Sequence, residues 1–349
     1  MLKKLYCSLG FLTLSLFPLH GEGAPVTTPP PLKKVYITKG YMNDLFPVSN
    51  PEEIPDNTPE FMQKLYKVAA QQGYQLIQAN SGAEVEGDFD YFIVFEVFPE
   101  QLATLNHIPS EKLILFLWEP PAVLPQNYNP FHHKRFSKVY TWDDSLVDNE
   151  KYFKYYYTNY KPMIAERPDF ASKKLSTLIS AHKYSTHPDE LYGERRKVIL
   201  FFEQLDTDDF DLFGRWWPTT LKTYKGAIES KLDHLKHYKF CFSYENIKNI
   251  PGYVTEKMFD CFEAGVVPIY WGASNIEEYV PKNCYISRED FSDQAELYSF
   301  IKNMSEEQHS EYITHIQRYL ESEKAQLFSI DHFITIFMNL ITTQPNARN

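Results

Sequence analysis

From Lys34 onward the chain alternates between short apolar runs and longer mixed segments, a pattern that few folds accommodate. The runs at 35–38, 74–77, 91–95, 113–118 and 139–142 read as strands, and a helix is expected between Pro59 and Gln72. After a Tyr-rich and then Pro-containing stretch at 155–172 the alternation resumes. It gives strands at 175–180 and 210–213, helices at 188–204 and 228–237, and closing helices at 305–320 and 324–341. Strands separated by helical lengths form βαβ units and hence parallel sheets. The expected fold class is α/β: two facing Rossmann-like domains with an interdomain cleft and C-terminal helices. The boundaries fall at 34–157 for the first domain, 158–172 for the linker and 173–345 for the second.

At 349 residues the chain is long enough for two cores of ordinary size. Hydrophobic residues make up 43% and aromatic residues 16%, which excludes a disordered chain. The formal charge of −11 and the absence of a Lys/Arg cluster exclude a nucleic-acid partner, because a phosphate backbone demands a basic face. Any phosphate bound here must be held locally. The 26 Phe and 25 Tyr suit a cleft that stacks bases and sugar rings, although aromatics chiefly fill cores.

Residues 1–24 stand apart. Lys3 and Lys4 precede an apolar stretch from Leu5 to Leu19, and a Pro-rich stem follows at 25–33. About 15 apolar residues is short for a membrane span of about 20, so the segment reads as a signal peptide. An uncleaved N-terminal membrane anchor is the alternative, since Pro25 makes the bond after Ala24 a poor cleavage site. Either places the protein as membrane-associated or exported. Cys241, Cys261 and Cys284 form no C-x-x-C pair and indicate neither a zinc site nor a disulfide framework.

The most informative block spans residues 238–286. An apolar run ends in Glu245-Asn246, a loop with Gly252-Tyr253 leads to a helix opening at Thr255-Glu256-Lys257, and a second apolar run ends in Trp271-Gly272. In an open α/β sheet, ligands bind at the carboxyl ends of the strands, and a helix N-terminus there offers free N–H groups to a phosphate. The block therefore reads as a nucleotide-diphosphate site. Lys257 can reach a phosphate as a point charge, while Glu256, which a phosphate would repel, suits a pair of ribose hydroxyls. Arg195 opens a helical pattern whose apolar face follows at Val198, Ile199 and Phe202. Glu119 ends a strand just before Pro120-Pro121, where a carboxylate faces the cleft and burial raises its pKa toward that of a general base. Glu96, ending another strand, is the competing candidate. Three D-x-D triplets, Asp88-Phe-Asp90, Asp206-Thr-Asp208 and Asp209-Phe-Asp211, could hold a metal, but each lies just before or inside an apolar strand, where acids solvate turns.

The block closely resembles the donor-binding signature of the α1,3-fucosyltransferase family, which transfers fucose from GDP-fucose to an acceptor sugar. The resemblance is best from Leu175 to about Thr343 and thin in the first half. It implies the GT-B architecture and donor binding by Asn246, Tyr253, Glu256 and Lys257. It further implies that Arg195 binds the diphosphate and that Glu119 is the catalytic base, with Pro120 where the family more usually has serine. On this resemblance the chain is an inverting glycosyltransferase moving L-fucose to an acceptor glycan, at the 3-OH of N-acetylglucosamine. It would need no cofactor and no obligatory metal, and it would act in the Golgi membrane if eukaryotic. Two alternatives stay open: a catalytically silent nucleotide- or sugar-binding protein on the same scaffold, and a transferase using another nucleotide sugar.

Overall fold

The computed structural model describes residues 32–38 and 60–343. The expected signal or anchor at 1–24 lies outside the described residues, as does the stem apart from Leu32 and Lys33. The first half forms a sheet of six strands: β1 (Lys33–Thr38), β2 (Tyr74–Ala79), β3 (Tyr91–Phe95), β4 (Leu113–Leu117), β5 (Lys138–Thr141) and β6 (Tyr152–Lys154). All pair in parallel, in the order β2-β1-β3-β4-β5-β6. β3 (YFIVF) and β4 (LILFL) are buried at every position, as strands covered on both faces must be. Helix α1 (Glu60–Gln71) buries Met62, Leu65, Tyr66 and Ala69 in the core beside the sheet.

The second half repeats the plan with β7 (Lys174–Ile179), α2 (Tyr192–Gln204), β8 (Phe210–Phe213), β9 (Tyr238–Tyr244), α3 (Glu256–Ala264), β10 (Val267–Trp271) and the two-residue β11 (Ile286–Ser287). Its five strands are also parallel, ordered β11-β10-β9-β7-β8. In each sheet the first strand lies between the second and the third, so the chain reverses its direction of winding there. Such a switch point opens a crevice at the carboxyl ends of the strands. Two Rossmann-like domains joined in this way constitute the GT-B fold.

The chain ends with α4 (Gln294–Lys302), α5 (Glu306–Leu320) and α6 (Ile330–Thr342). The helix expected over 324–341 is broken into a short turn, Glu323–Gln326, and α6, because Ser329 caps α6 by accepting from His332 N at 3.1 Å. The assignment of residues up to 345 to the second domain is corrected by α6. Phe333, Ile334, Phe337, Met338, Leu340 and Ile341 share a core with Val35, Leu76 and Phe116 of the first sheet. Tyr74 Oη donates to the Ile341 carbonyl at 2.9 Å, and Lys64 pairs with Asp331 at 2.6 Å. Each of those six apolar side chains contributes about 1.5–3 kcal/mol of transfer free energy, so the C-terminal helix straps the first domain to the second. Cys241, Cys261 and Cys284 are buried free thiols.

Candidate active site

β9 is followed directly by Glu245 and Asn246, and a loop then carries the chain to the N-terminus of α3. The loop is tight because Gly252 takes φ +84°, and a Cβ there would lie 2.3 Å from the Trp142 carbonyl oxygen of the first domain. Its N–H donates to Asn275 Oδ1 at 2.8 Å. Asn275 Nδ2 in turn donates to Asp144 Oδ2 at 2.9 Å, and Lys154 Nζ reaches Asp144 Oδ1 at 2.6 Å. Tyr253 follows, 2% exposed, with its ring 4.5 Å from that of Trp142. The loop of the second domain is thereby locked against the first.

The Glu245 side chain is fully buried and holds the start of α3. It accepts from Thr255 N at 2.8 Å and from Thr255 Oγ1 at 2.6 Å, and Lys257 Nζ lies 3.1 Å from its Oε2. Burial pushes the Glu245 carboxyl up, and Lys257 opposes the rise. Burial alone would lower Lys257, but Glu245 and Glu256 outweigh it and hold the ammonium above its ordinary value. Glu256 would likewise be raised by burial, yet Lys257 and Lys231 hold it below the usual carboxylate range. Gly272 is required beside this cluster, since a Cβ would meet Glu245 Cγ at 2.5 Å.

Arg195, on the first turn of α2, is 4% exposed. Its Nη2 donates to the carbonyls of Tyr244 at 2.6 Å and Glu245 at 2.7 Å, and to Asn246 Oδ1 at 3.1 Å. Asn246 Nδ2 reaches Tyr253 Oη at 3.4 Å. A parallel strand leaves carbonyls unpaired at its carboxyl end, and Arg195 satisfies them at β9. The same contact ties α2, β9 and the loop that leads to α3 into one unit.

Glu119 approaches from the first domain, just past β4. Its backbone is held at both ends: its N–H donates to Glu96 Oε1 at 2.6 Å, and its carbonyl accepts from Tyr128 Oη at 3.2 Å. The carbonyls before it are capped as well, that of Leu117 by Tyr155 Oη at 2.8 Å and that of Trp118 by Trp142 Nε1 at 2.9 Å. The Glu119 carboxylate itself has no hydrogen-bond partner among the described residues. Burial pushes it above the ordinary glutamate range, with Lys257 and Lys183 opposing and Glu256 adding to the rise.

These residues surround one cleft of about 470 Å³. Glu119, Arg195, Asn246, Tyr253, Glu256 and Lys257 all line it, so the geometry brings together every site residue expected from the sequence. Ile179 and Ser180 at the end of β7, with Asn246 after β9, set the cleft at the switch point of the second sheet. Residues not expected from the sequence line it too, among them Lys183, Arg215, Lys231 and Glu229. Lys231 is neutralised by Asp260 at 2.6 Å. Lys183 and Arg215 form no ion pair among the described residues. Both sit on loops, Arg215 two residues past the end of β8. The only signal in the sequence was their place just past strands β7 and β8.

The D-x-D acids lie elsewhere. Asp88 and Asp90 precede β3, and Asp206, Asp208 and Asp209 precede β8, at the amino ends of strands whose carboxyl ends face the cleft. Asp209 accepts from Tyr298 Oη at 2.5 Å and Lys302 Nζ at 2.8 Å, while Asp211 accepts from Lys174 Nζ and Tyr238 Oη, both at 2.6 Å.

A GT-B fold with a charged cleft between its domains defines the class, and comparison with known proteins narrows it. Residues 173–335 match the family model "Glycosyltransferase family 10 (fucosyltransferase) C-term". The chain is 40% identical over 86 residues to the alpha-(1,4)-fucosyltransferase of Arabidopsis thaliana, covering 23% of this chain and 21% of that protein. It is 25% identical over 231 residues to human alpha-(1,3)-fucosyltransferase 4, covering 64% of this chain and 41% of that one. Both matches span less than half the length of those relatives. Crystal structures of alpha1,3-fucosyltransferase share the fold: one alone has a TM-score of 0.57 at 15% identity, covering 90% of this chain and 92% of that one. One with GDP-fucose has a TM-score of 0.53 at 16% identity, covering 93% and 94%. The resemblance to the fucosyltransferase family carried by the donor block is borne out.

Proposed function

We propose that the protein is an inverting glycosyltransferase that moves L-fucose from GDP-fucose to a hydroxyl of an acceptor glycan, the 3-OH of N-acetylglucosamine, with Glu119 as general base. The observation that carries this reading is the carboxylate of Glu119, without a hydrogen-bond partner among the described residues and held by its backbone on the first domain across the cleft from Lys257 and Arg195. The names of the relatives and the GDP-fucose complex of the fold neighbour support the donor.

In this mechanism the donor lies along the second domain. Lys257, Arg195 and the N–H groups opening α3 face the diphosphate, Glu256 the ribose hydroxyls, and Asn246 and Tyr253 complete the donor wall. Fucose is β-linked in the donor and α-linked in the product, which calls for one displacement. The acceptor oxygen forms its bond to the anomeric carbon as the bond to GDP breaks, GDP leaves with the electron pair, and the acceptor proton passes to Glu119. The cations of the cleft offset the charge growing on GDP, so no metal is required for that step. The apolar N-terminal segment supports a membrane-associated or exported location; no helix among the described residues is long and apolar enough to cross a membrane.

A panel of nucleotide sugars offered with N-acetylglucosamine-containing acceptors and read by mass spectrometry tests the proposal. Transfer from GDP-fucose alone is expected. Transfer from another nucleotide sugar, or GDP binding without any transfer, would overturn it.

A further inference from the structure

Glu96 is the most constrained acidic residue in the first domain. It is 1% exposed, directly follows β3, and takes φ +72°, in the left-handed region that residues other than glycine rarely occupy. Such a conformation persists only where the surroundings over-determine it, and it occurs preferentially at functional sites. Here they do: the Glu96 N–H donates to the Phe116 carbonyl at 3.0 Å, and both carboxyl oxygens are engaged. Oε1 accepts from Glu119 N at 2.6 Å, and Oε2 accepts from Asn127 Nδ2.

Asn127, itself fully buried, cannot reverse its amide. Its Oδ1 accepts from Val97 N at 2.6 Å, so Nδ2 must face Glu96, and its carbonyl is bonded to His133 Nε2 at 2.5 Å. Glu96 therefore meets two donors, and only a group that accepts at both oxygens satisfies them. One oxygen of the buried acid thus holds the backbone of the cleft glutamate and the other is held by Asn127, while the Glu119 carboxylate has no hydrogen-bond partner among the described residues.

We infer that Glu96 is a positioning residue for transfer, fixing the backbone of Glu119 through a Val97–Asn127–Glu96–Glu119 chain whose donors converge on the Glu96 carboxylate, so that the Glu119 carboxylate is presented to the acceptor hydroxyl. The inference rests on the reading of Glu119 as the base. A carboxylate must be held within hydrogen-bond reach of the hydroxyl it deprotonates, about 2.6–3.2 Å between heavy atoms, so a loosened backbone costs rate in the chemical step while donor binding on the other domain is untouched.

The test is a double-mutant cycle of Glu96→Gln with Glu119→Gln, read as kcat, donor KM and GDP affinity by calorimetry. Gln keeps the size of Glu96 but turns one acceptor into a donor facing a donor. The expected result is a kcat about 10- to 100-fold lower with unchanged GDP affinity, and little further loss from Glu96→Gln once Glu119 is already Gln. If Glu119→Gln loses transfer while Glu96→Gln does not, or if Glu96→Gln costs the same factor in both backgrounds, the inference fails and the reading of Glu119 survives. If Glu119→Gln transfers normally, the reading of Glu119 fails first. Should Glu96→Gln not fold, Tyr128→Phe removes the bond to the Glu119 carbonyl with little disturbance. A kcat about 3- to 10-fold lower with GDP affinity intact supports the pinned backbone, and an unchanged kcat in that folded variant overturns it.

Discussion

Lys257 Nζ lies 3.1 Å from the buried Glu245 carboxylate and 3.2 Å from that of Glu256, so the cation at the start of α3 enters the cleft already flanked by two acids. The arrangement fixes the ammonium in place, since Glu245 also anchors Thr255 at the start of α3. Lys257→Ala removes a charged donor from the diphosphate and leaves Glu245 buried without its cation. GDP binding should weaken by about 1.5–3 kcal/mol, and the melting temperature should fall as well. Unchanged GDP affinity by calorimetry would remove Lys257 from the site.

Arg215 offers the opposite case. It is exposed, lines the cleft, and has no acidic partner among the described residues, so its positive charge is free for an anion. Arg215→Ala should raise the donor KM several-fold, with little effect on stability. The difference from the parent should shrink at high salt, because an exposed charge is screened. An equal loss at low and high salt would argue against a direct electrostatic role.

Lys257, Arg195, Lys183 and Arg215 line one cleft, so in the proposed mechanism the chain's own cations offset the charge of the diphosphate. The D-x-D acids sit at the amino ends of their strands, and Asp209 and Asp211 already hold lysines. Transfer should persist in excess chelator. Complete loss in EDTA with rescue by Mn²⁺ would bring Asp206 and Asp208 back as ligands.

Much of this was legible in the sequence, for identifiable reasons. The strand run at 91–95 coincides with β3, because a strand buried on both faces shows as a continuous apolar run, and that at 210–213 coincides with β8 although Asp211 interrupts it. Asn246, Tyr253, Glu256 and Lys257 sat between a strand end and a helix start, where chain order alone sets them close together. What stayed hidden depended on distant contacts. The apolar face of α6 is plain in Phe333, Ile334 and Phe337, but periodicity does not say which sheet it will cover. β6 has three residues of mixed polarity and leaves no pattern. Glu96 and Glu119 looked alike, each an acid at a strand end. They parted only when the fold turned one under the backbone of the other. Glu245 read as part of a motif, and its hold on Lys257 needed the turn of the donor loop.

The central claim is that Glu119 takes the proton of the acceptor, and Glu119→Gln tests it most directly. A positioned carboxylate contributes about 10²- to 10⁴-fold, so kcat should fall by that factor while GDP affinity and donor KM stay near normal. In the parent enzyme the ionised carboxylate is the active form. kcat/KM should therefore rise with pH through a value above the ordinary glutamate range, as burial of Glu119 requires, and this limb should vanish in the variant. Measurement of the pH profile and of kcat for Glu119→Gln, with the anomeric configuration of the parent's product read by NMR, should give that loss and an α-linked fucose. Retention of most activity in Glu119→Gln, or a β-linked product, would contradict the account.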